Sequence, residues 1–473
     1  MERSSVDNEG YQCKTEFTSA CYGTAIYEHA DQRYCILHLP SEDKEDEFNE
    51  AVQSKLERND FDFAGVYFPR DFADFFGATF SEEADFSGAT FSGLAYFIRA
   101  TFSGTANFMD AAFSEGADFK GATFSGTATF TDAAFSGLVE FPYAIYSEGA
   151  DFPYATFSGT ATFREATFSE RATFNGATFS EEADFSGATF SGLADFPEAT
   201  FSGLASFMEV AFKEGALFDN FKAFPRTALV FREATIEKPE RISFHTTFLR
   251  PSWFVDVVDA QKFDFSDVEW FRIPDAAETN TDQLKPLTLE NEIENLVVVV
   301  EGQPEDKTSW VQGSRTRSLR KLARACRRLM NNAEENRDYP TANEMHYWSM
   351  EAQRKEGWSR LGLIATLYWA LSGYGERPLR ALGVLGALYA VFTMLYILLP
   401  ASPFSVLSPS DVCQSIGCVG QAATYSLSAV ARLIPAEPRL SPGSFQFLVT
   451  IEGILGPLQI ALFLLAVRRK VMR

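Results

Sequence analysis

The chain has 473 residues, 47 of them Phe, and its 64 acidic against 41 basic residues give a formal net charge of −23 at pH 7. Residues 1–310 contain 54 acidic and 22 basic residues, whereas residues 311–473 contain 10 acidic and 19 basic ones. The acidic excess predicts no nucleic-acid partner. It suits the hydrated surface of a halophile's protein, with an ordinary acidic protein as the alternative. An acidic body joined to a basic C-terminal third also indicates docking at a membrane.

The first predicted element is an N-terminal cap at residues 1–60. It contains Cys13, Cys21, Cys35 and His38 in the spacing C-x7-C-x13-C-x2-H. Three thiolates and one imidazole are a complete tetrahedral ligand set for structural zinc, so we predict a zinc site here. The alternative is a set of thiols packed in a small cap and kept reduced in the cytoplasm.

A phenylalanine repeat occupies residues 75–218. Phe recurs in alternating steps of five and six at 27 positions, of which only Tyr146 is not Phe, and Ala stands two residues earlier except at Val139 and Val210. At about 100° per residue, these steps would place successive Phe residues on opposing sides of a helix. On a flat strand, an odd step moves the side chain to the other face. A chain that turns a corner between Phe residues satisfies both steps, which predicts a solenoid with Phe in its bore.

The Ala-x-Phe-x-x unit resembles the pentapeptide-repeat proteins, and the six-residue alternate step resembles their variant with 11-residue double units. The resemblance implies a mainly β fold, a right-handed four-sided β-helix (pentapeptide-repeat solenoid), over residues 61–271. Four faces take 22 residues, so residues 75–218 would make six to seven coils, about 30 Å long at the usual strand spacing. Residues 219–271 lose the strict step but stay Phe-rich, which predicts atypical closing coils.

A polar connector and a basic helical region follow the solenoid. The connector covers residues 272–313 and contains one strand-like run at Leu296–Val300. The helical region, residues 314–378, is predicted to be cytosolic, and from Ser318 to Met330 its apolar residues, Cys326 among them, share one stripe opposite a basic face. We expect this stripe to pack on a second helix from about Pro340 to Lys355. The alternative is that the basic helix lies on anionic lipid.

Residues 379–473 are predicted to form a two-span membrane module. The segment Ala381–Leu399 has no charged residue, and Phe445–Val467 has only Glu452. Both match the length of about 20 residues that a spanning helix needs. Basic residues flank the outer ends of both spans, which places both termini in the cytoplasm. The N-terminus has no apolar core for a signal peptide, and a buried hairpin of a soluble protein is the alternative to the spans.

Two blocks, Arg337–Glu351 and Leu371–Arg380, are similar to membrane-bound pentapeptide-repeat proteins. The C-terminal part of those proteins resembles a two-helix potassium-channel module, which implies an outer helix, a short pore helix at Gln421–Ile434, a filter loop and an inner helix. A pore of this kind would require a homo-oligomer, usually a tetramer. The chain departs from the family at the filter, because Ala431–Pro438 has no Gly and contains Arg432, whereas a potassium filter depends on Gly-supplied backbone conformations.

Three features of the module are candidate sites. An intramembrane carboxylate is costly, so Glu452 is expected to line a pore or to pair with a neighbour, unless it reaches the headgroups or is protonated. Gly453 and Gly456, with Pro457, could allow a bend of the inner helix. Cys413 and Cys418 fall in the loop predicted to be external, where they form a disulfide or remain two thiols.

The sequence shows no catalytic constellation. None of the four His residues stands beside a recognisable Ser or Cys nucleophile, and there is no Walker or dinucleotide Gly loop. Three functions remain open: a channel-like membrane protein whose solenoid mediates protein interaction or gating, a non-conducting scaffold tethered to the lipid bilayer, and an acidic DNA mimic acting on a topoisomerase. The third is the weakest, because such mimics usually lack membrane anchors. The protein partner of the solenoid is not identified by the sequence.

Overall fold

The computed structural model describes residues 27–30, 32–70, 73–223, 227–270, 272–274, 284–293, 296, 312–356, 360–398, 417–430 and 443–471. The chain divides into two compact units, Met1–Trp310 and Val311–Arg473.

The described part of the first unit opens with a small cap. Strands Tyr27–His29 and Gln32–Tyr34 pair antiparallel, and helix α1, Glu45–Glu57, follows them. Phe48 of α1 packs edge-on against Phe68 of the first coil, with ring centroids 5.6 Å apart. The cap therefore covers the apolar end of the bore, which an open solenoid would expose to water.

Behind the cap, the chain forms a parallel β-solenoid of about nine turns. Its four sheets have eight strands each, so the four-sided fold is confirmed, while its handedness stays a prediction. The first sheet consists of Tyr67–Phe68, Thr90–Phe91, Ala112–Phe113, Ala134–Phe135, Thr156–Phe157, Thr178–Phe179, Thr200–Phe201 and Lys222–Ala223. The second consists of Ala73–Asp74, Leu94–Tyr96, Gly116–Asp118, Val139–Glu140, Ala161–Thr162, Ala183–Asp184, Leu204–Ser206 and Ala228–Val230.

The other two sheets have the same parallel register. The third consists of Thr79–Phe80, Thr101–Phe102, Thr123–Phe124, Ile145–Tyr146, Thr167–Phe168, Thr189–Phe190, Ala211–Phe212 and Thr235–Ile236. The fourth consists of Ala84–Asp85, Ala106–Asn107, Ala128–Thr129, Ala150–Asp151, Ala172–Thr173, Ala194–Asp195, Ala216–Leu217 and Ile242–Ser243. The turns outnumber the six to seven expected for residues 75–218, because strands pair on both sides of that segment.

The repeated Ala and Phe side chains fill the bore. Phe97, for example, is fully buried and stacks on Phe119, one coil further, with centroids 4.8 Å apart and planes 3° from parallel. Within a coil, Phe97 meets Phe108 edge-on at 5.4 Å and 87°. Both arrangements are favourable for aromatic rings, at about 0.5–1.5 kcal/mol per pair beyond simple burial.

Two kinds of corner explain the alternating steps. In the five-residue step, Ala78 N donates to Phe75 O at 3.1 Å and Gly77 has φ +64°, as at the third residue of a type II turn. In the six-residue step, the backbone of a corner can lie in close contact with the backbone of the preceding coil. A Cβ on Gly137 would lie 1.3 Å from Glu115 O, so this corner requires glycine.

The final coils are wider and close the bore. Ala216 pairs with Ile242, whereas Ala106 of an earlier coil pairs with Ala128, so the chain between paired strands is longer at this end. Short 3-10 helices lie at this end of the solenoid, at Pro239–Arg241, Pro251–Phe254 and Ala260–Lys262. Trp253 and Trp270 are buried there. Two further strand pairs are Thr247–Phe248 with Val268–Glu269, and Arg272–Pro274 with Leu284–Pro286.

A buried ion pair joins these coils to the segment that follows. Glu292, in the helical residues 289–293, is fully buried, and its Oε1 lies 3.7 Å from Arg250 Nη1. Ser252 N donates to the other oxygen at 2.9 Å. Burial raises the pKa of Glu292, although Arg250 and Ser252 oppose the shift. Leu296, the first residue of the run expected to be a strand, is helical, and residues 297–300 lie outside the described residues.

The second unit is helical in its described residues. Its helices are α2, Gln312–Glu335; α3, Tyr339–Lys355; α4, Arg360–Ser372; α5, Pro378–Leu398; α6, Gly417–Val430; and α7, Gly443–Val471. Helices α2 and α3 pack as a hairpin, with Ser349 Oγ of α3 donating to Ala323 O of α2 at 3.1 Å. Cys326 lies buried in α2. Two helices, at Pro378–Leu398 and Phe447–Arg468, are long and apolar enough to cross a membrane.

Candidate functional site

Glu452 joins three helices of the second unit. Its carboxylate accepts hydrogen bonds from the Tyr396 hydroxyl of α5 and from the Ser426 hydroxyl of α6. All three residues are fully buried. The carboxylate is thus hydrogen-bonded to two neighbouring helices of the same chain, and whether it lines a pore stays a prediction. We call these three residues the carboxylate hub.

Close packing surrounds the carboxylate hub. Phe392, Tyr396 and Ala422 form a buried cluster, and Tyr425 of α6 meets Tyr396 edge-on at 5.6 Å. A Cβ on Gly456 would lie 2.9 Å from Val430 Cα, so this glycine permits α6 and α7 to approach closely. The hub thus fixes the short helix α6 between the two long ones.

The other glycine named for the inner helix has a different environment. A Cβ on Gly453 would have nothing within 4 Å. Both glycines and Pro457 lie inside the single helix α7. Whether α7 bends there in function stays a prediction.

A second polar contact links α7 to the junction between α4 and α5. The Gln459 side chain is buried, and its Nε2 donates to Leu371 O at 2.8 Å and to Ala381 O at 2.9 Å. The last carbonyls of a helix lack intrahelical partners. The side-chain amide of Gln459 therefore provides a donor for one of these carbonyls, that of Leu371, at the end of α4. This contact holds the end of α4 beside the beginning of α5.

The loop between α4 and α5 docks on α3. Tyr374 is buried with φ +62° between two glycines that also have positive φ. Its hydroxyl donates to Glu351 Oε2 at 2.9 Å, and Arg354 Nη2 donates to Glu351 Oε1 at 2.5 Å. Burial raises the pKa of Glu351, but these hydrogen bonds outweigh it and leave the pKa lowered. An uncommon backbone conformation is thus held by one carboxylate.

Sequence reasoning identified Glu452 but missed its partners and missed helix α4. A signal was present for one partner, since Tyr396 is a polar side chain inside an apolar span, where such residues usually have a contact or a function. Helix α4 gave no equivalent signal. It is apolar without an amphipathic period, and at 13 residues it is too short to be recognised as a span.

In the N-terminal cap, Cys35 and His38 lie next to each other. Cys35 Sγ is 3.0 Å from His38 Nδ1, and both residues are buried. His38 Nε2 lies 2.9 Å from Ala64 O. A carbonyl only accepts, so Nε2 is the ring nitrogen that bears the proton there, and in a neutral ring Nδ1 is the acceptor that faces the Cys35 sulfur.

A buried lysine stands next to this pair. Lys44 Nζ donates to three backbone carbonyls, those of Ile36 and Leu37 at 3.0 Å and of Tyr67 at 2.6 Å. It also lies 4.4 Å from the centre of the Phe48 ring. Burial lowers the pKa of Lys44 to about 7, although the charges of Cys35 and Glu42 oppose this. The lysine ties the cap to the first coil.

The remaining predicted site residues fall wholly or partly outside what can be described. Cys13, Cys21, Cys413 and the segment 431–438 lie outside the described residues, and Cys418 lies in the first turn of α6. The disulfide and the four-ligand zinc site therefore stay predictions. Within the described ranges, no group of three or more His, Cys, Asp and Glu side chains is arranged to hold a metal.

The fold defines a class of protein, a parallel β-solenoid built from 11-residue double units, followed by helices of which two could span a membrane. The family model for pentapeptide repeats matches residues 75–123 and 152–200, in nine copies. These segments therefore contain pentapeptide repeats. No curated protein and no solved structure matches the chain. Pentapeptide-repeat β-solenoid proteins are typically non-enzymatic structural or interaction proteins.

Proposed function

We propose that the second unit is a two-span membrane module in which α6 is held as the short pore helix of a channel-like assembly, with the pentapeptide solenoid attached on the cytoplasmic side. One observation carries the proposal: the carboxylate hub holds α6 to both long helices. At 14 residues, or roughly 21 Å, α6 is too short to cross the hydrocarbon core of about 30 Å. A short helix held between two spans matches the layout expected of the channel module.

The exposed surface of the long helices supports the membrane assignment. Val391 and Met394 of α5, and Ile454 and Leu464 of α7, are each more than half exposed. Water would meet these apolar side chains in a soluble monomer, whereas lipid or further copies of the chain would cover them in a bilayer. The basic residues at the outer ends of both spans favour cytoplasmic termini.

Ion flux through the purified full-length protein tests the channel proposal. Conduction in planar bilayers, from a ring-shaped oligomer such as a tetramer, is the expected result. Substituting Glu452→Leu removes the acceptor for both hydroxyls, so it should abolish conduction, while Leu464→Ala on the exposed face of α7 should preserve it. A monomer in mild detergent that carries no current would refute the channel proposal.

A non-conducting, membrane-tethered scaffold is the second candidate. It is favoured by the predicted filter segment, Ala431–Pro438, which has no Gly and contains Arg432. In this case the solenoid presents its outward side chains to a protein partner, because its Phe residues are core. A stable membrane-bound protein that passes no ions, and whose solenoid captures the same partner as the full chain, is the outcome this candidate requires.

For the N-terminal cap we propose structural zinc, held by Cys35 and His38 together with Cys13 and Cys21. The support is the Cys35–His38 pair, in which the ring nitrogen opposite the sulfur donates to a backbone carbonyl, as zinc-bound histidines commonly do. Metal analysis of the purified protein should find one zinc per chain, lost in Cys35→Ser and kept in Cys326→Ser. Absence of zinc from protein purified without chelator would refute the site.

A further inference from the structure

Helix α4 exposes an apolar surface. Ile364 is 64% and Leu367 is 55% exposed, three residues apart and therefore on one side of the helix. No charged residue occurs from Leu361 to Gly375. The 13 residues of α4 would extend only about 20 Å, which is too short for a span. A helix of this kind can bury its exposed apolar residues by lying along the surface of a membrane.

The position of α4 identifies which surface this is. Gln459 of α7 donates both to Leu371 O, at the end of α4, and to Ala381 O, in the first turn of α5. The end of α4 is thereby placed where the first span begins. If α5 crosses the bilayer, α4 ends at the boundary between hydrocarbon and water on that side.

Cationic side chains surround this end of the helix. The guanidinium carbons of Arg354 and Arg380 lie 4.9 and 4.7 Å from the centre of the Trp369 ring. Arg377, which is exposed, lies 4.9 Å from the Tyr347 ring. Residues 311–380 contain 13 basic and 7 acidic residues. Trp and Tyr are typical of the headgroup level of a membrane, and a cationic surface there attracts anionic lipid.

We propose that α4 lies in the membrane–water interface, with Ile364 and Leu367 among the acyl chains and Arg377 and Arg380 on the phosphates of anionic phospholipid. The inference rests on the membrane assignment made under the proposed function. It adds a lipid-binding surface that neither the channel nor the scaffold function requires. Its occupant is the anionic leaflet adjoining the α2–α3 hairpin.

Depth-dependent fluorescence quenching tests the location of α4. The full-length protein is reconstituted with bimane on a single introduced cysteine: Leu367→Cys on α4, Val391→Cys on the exposed side of α5, or Arg324→Cys on the exposed side of α2. The chain without an introduced cysteine, labelled in parallel, gives the background from native thiols. Brominated phospholipid should quench residues 367 and 391, whereas aqueous iodide should quench residue 324.

The three positions separate two kinds of failure. If iodide quenches residue 367 while brominated lipid still quenches residue 391, α4 lies in water and this inference is overturned, with the membrane module intact. If iodide also quenches residue 391 and lipid does not, the membrane assignment fails and the inference fails with it.

The headgroup contact is tested by comparing lipids of different charge. We expect the midpoint of thermal unfolding of the second unit to be higher in phosphatidylcholine vesicles containing phosphatidylglycerol than in phosphatidylcholine alone. The double substitution Arg377→Gln, Arg380→Gln should abolish this difference, whereas Arg324→Gln should retain it. Because the comparison is between lipids for each variant, a general loss of stability cancels. A double variant that keeps the full difference would overturn the phosphate contact.

Discussion

Tyr146 is the one hydroxyl-bearing side chain in the Phe bore, and replacing it by Phe should stabilise the solenoid. Its ring is fully buried and stacks at 4.8 Å and 3° on both Phe124 and Phe168. No described residue forms a hydrogen bond with its hydroxyl. Burial also raises the pKa of Tyr146 well above its usual value, which favours the neutral hydroxyl.

The size of the effect follows from two opposing contributions. Leaving a buried hydroxyl without a partner costs about 1–3 kcal/mol. Removing the oxygen leaves a void smaller than a methyl group, which costs less than about 1 kcal/mol. The stacked rings are unchanged, so Tyr146→Phe should stabilise the fold by about 1 kcal/mol. For a unit of this size, that corresponds to a rise of roughly 2–4 °C in the unfolding midpoint.

Differential scanning calorimetry of the full-length protein in detergent is the appropriate assay, followed at the transition of the solenoid. Tyr154→Phe is the matched control, because it makes the same chemical change at a side chain that is 54% exposed. The control should remain within about 0.5 kcal/mol of the wild type. An unchanged or lower midpoint for Tyr146→Phe would show that the hydroxyl is satisfied or that the void dominates.

Three further predictions concern other parts of the first unit. Gly137→Ala should destabilise the solenoid by about 3 kcal/mol or more, because the added methyl group overpacks the corner. The control Gly149→Ala should be tolerated, since its Cβ would lie 3.5 Å from its nearest neighbour. Equal unfolding midpoints for the two variants would contradict the corner geometry. The pKa of Glu292 is raised, so above pH 4.5 the folded state binds more protons than the unfolded state, and stability should fall as pH rises through the raised pKa. Calorimetry at several pH values should show the unfolding midpoint of the wild type decreasing over this range. Glu292→Gln should lower the midpoint and remove its dependence on pH. Lys44→Met should cost at least about 2 kcal/mol, because it leaves three backbone carbonyls of the cap and first coil without their shared donor. A variant with unchanged urea unfolding would refute that role.

The regular part of the fold was predictable because the same short pattern of apolar residues recurs in every repeat. An Ala and a Phe, separated by one residue, point into the bore, and the alternating steps of five and six allow four sides to close into one coil. The sequence could not define the ends of the solenoid as well. There, the chain between the paired residues Ala216 and Ile242 is longer than one regular coil, and the buried residues Trp253 and Trp270 do not follow the Phe period.

Of the three residues of the carboxylate hub, only Glu452 could be predicted from the sequence. An ionisable residue in an apolar span is conspicuous by itself, so Glu452 could be identified from its surroundings in the sequence. Its partners, Ser426 and Tyr396, are 26 and 56 residues away, and only the packing of three helices brings them together. Helix α4 was not predicted for a related reason. Its proposed role depends on its contacts with α3, α5 and α7, which the pattern of its own residues does not indicate.

The register of the solenoid has a consequence for how its length can change. Each strand pairs with the strand one full coil away, as Ala106 does with Ala128, so removing or duplicating one whole coil would shorten or extend the body by a single step and leave every other outward side chain in its own file. A change of half a coil would instead carry all later side chains to the opposite side. The length of the solenoid can therefore change in steps of one coil while the register of its four sheets is kept.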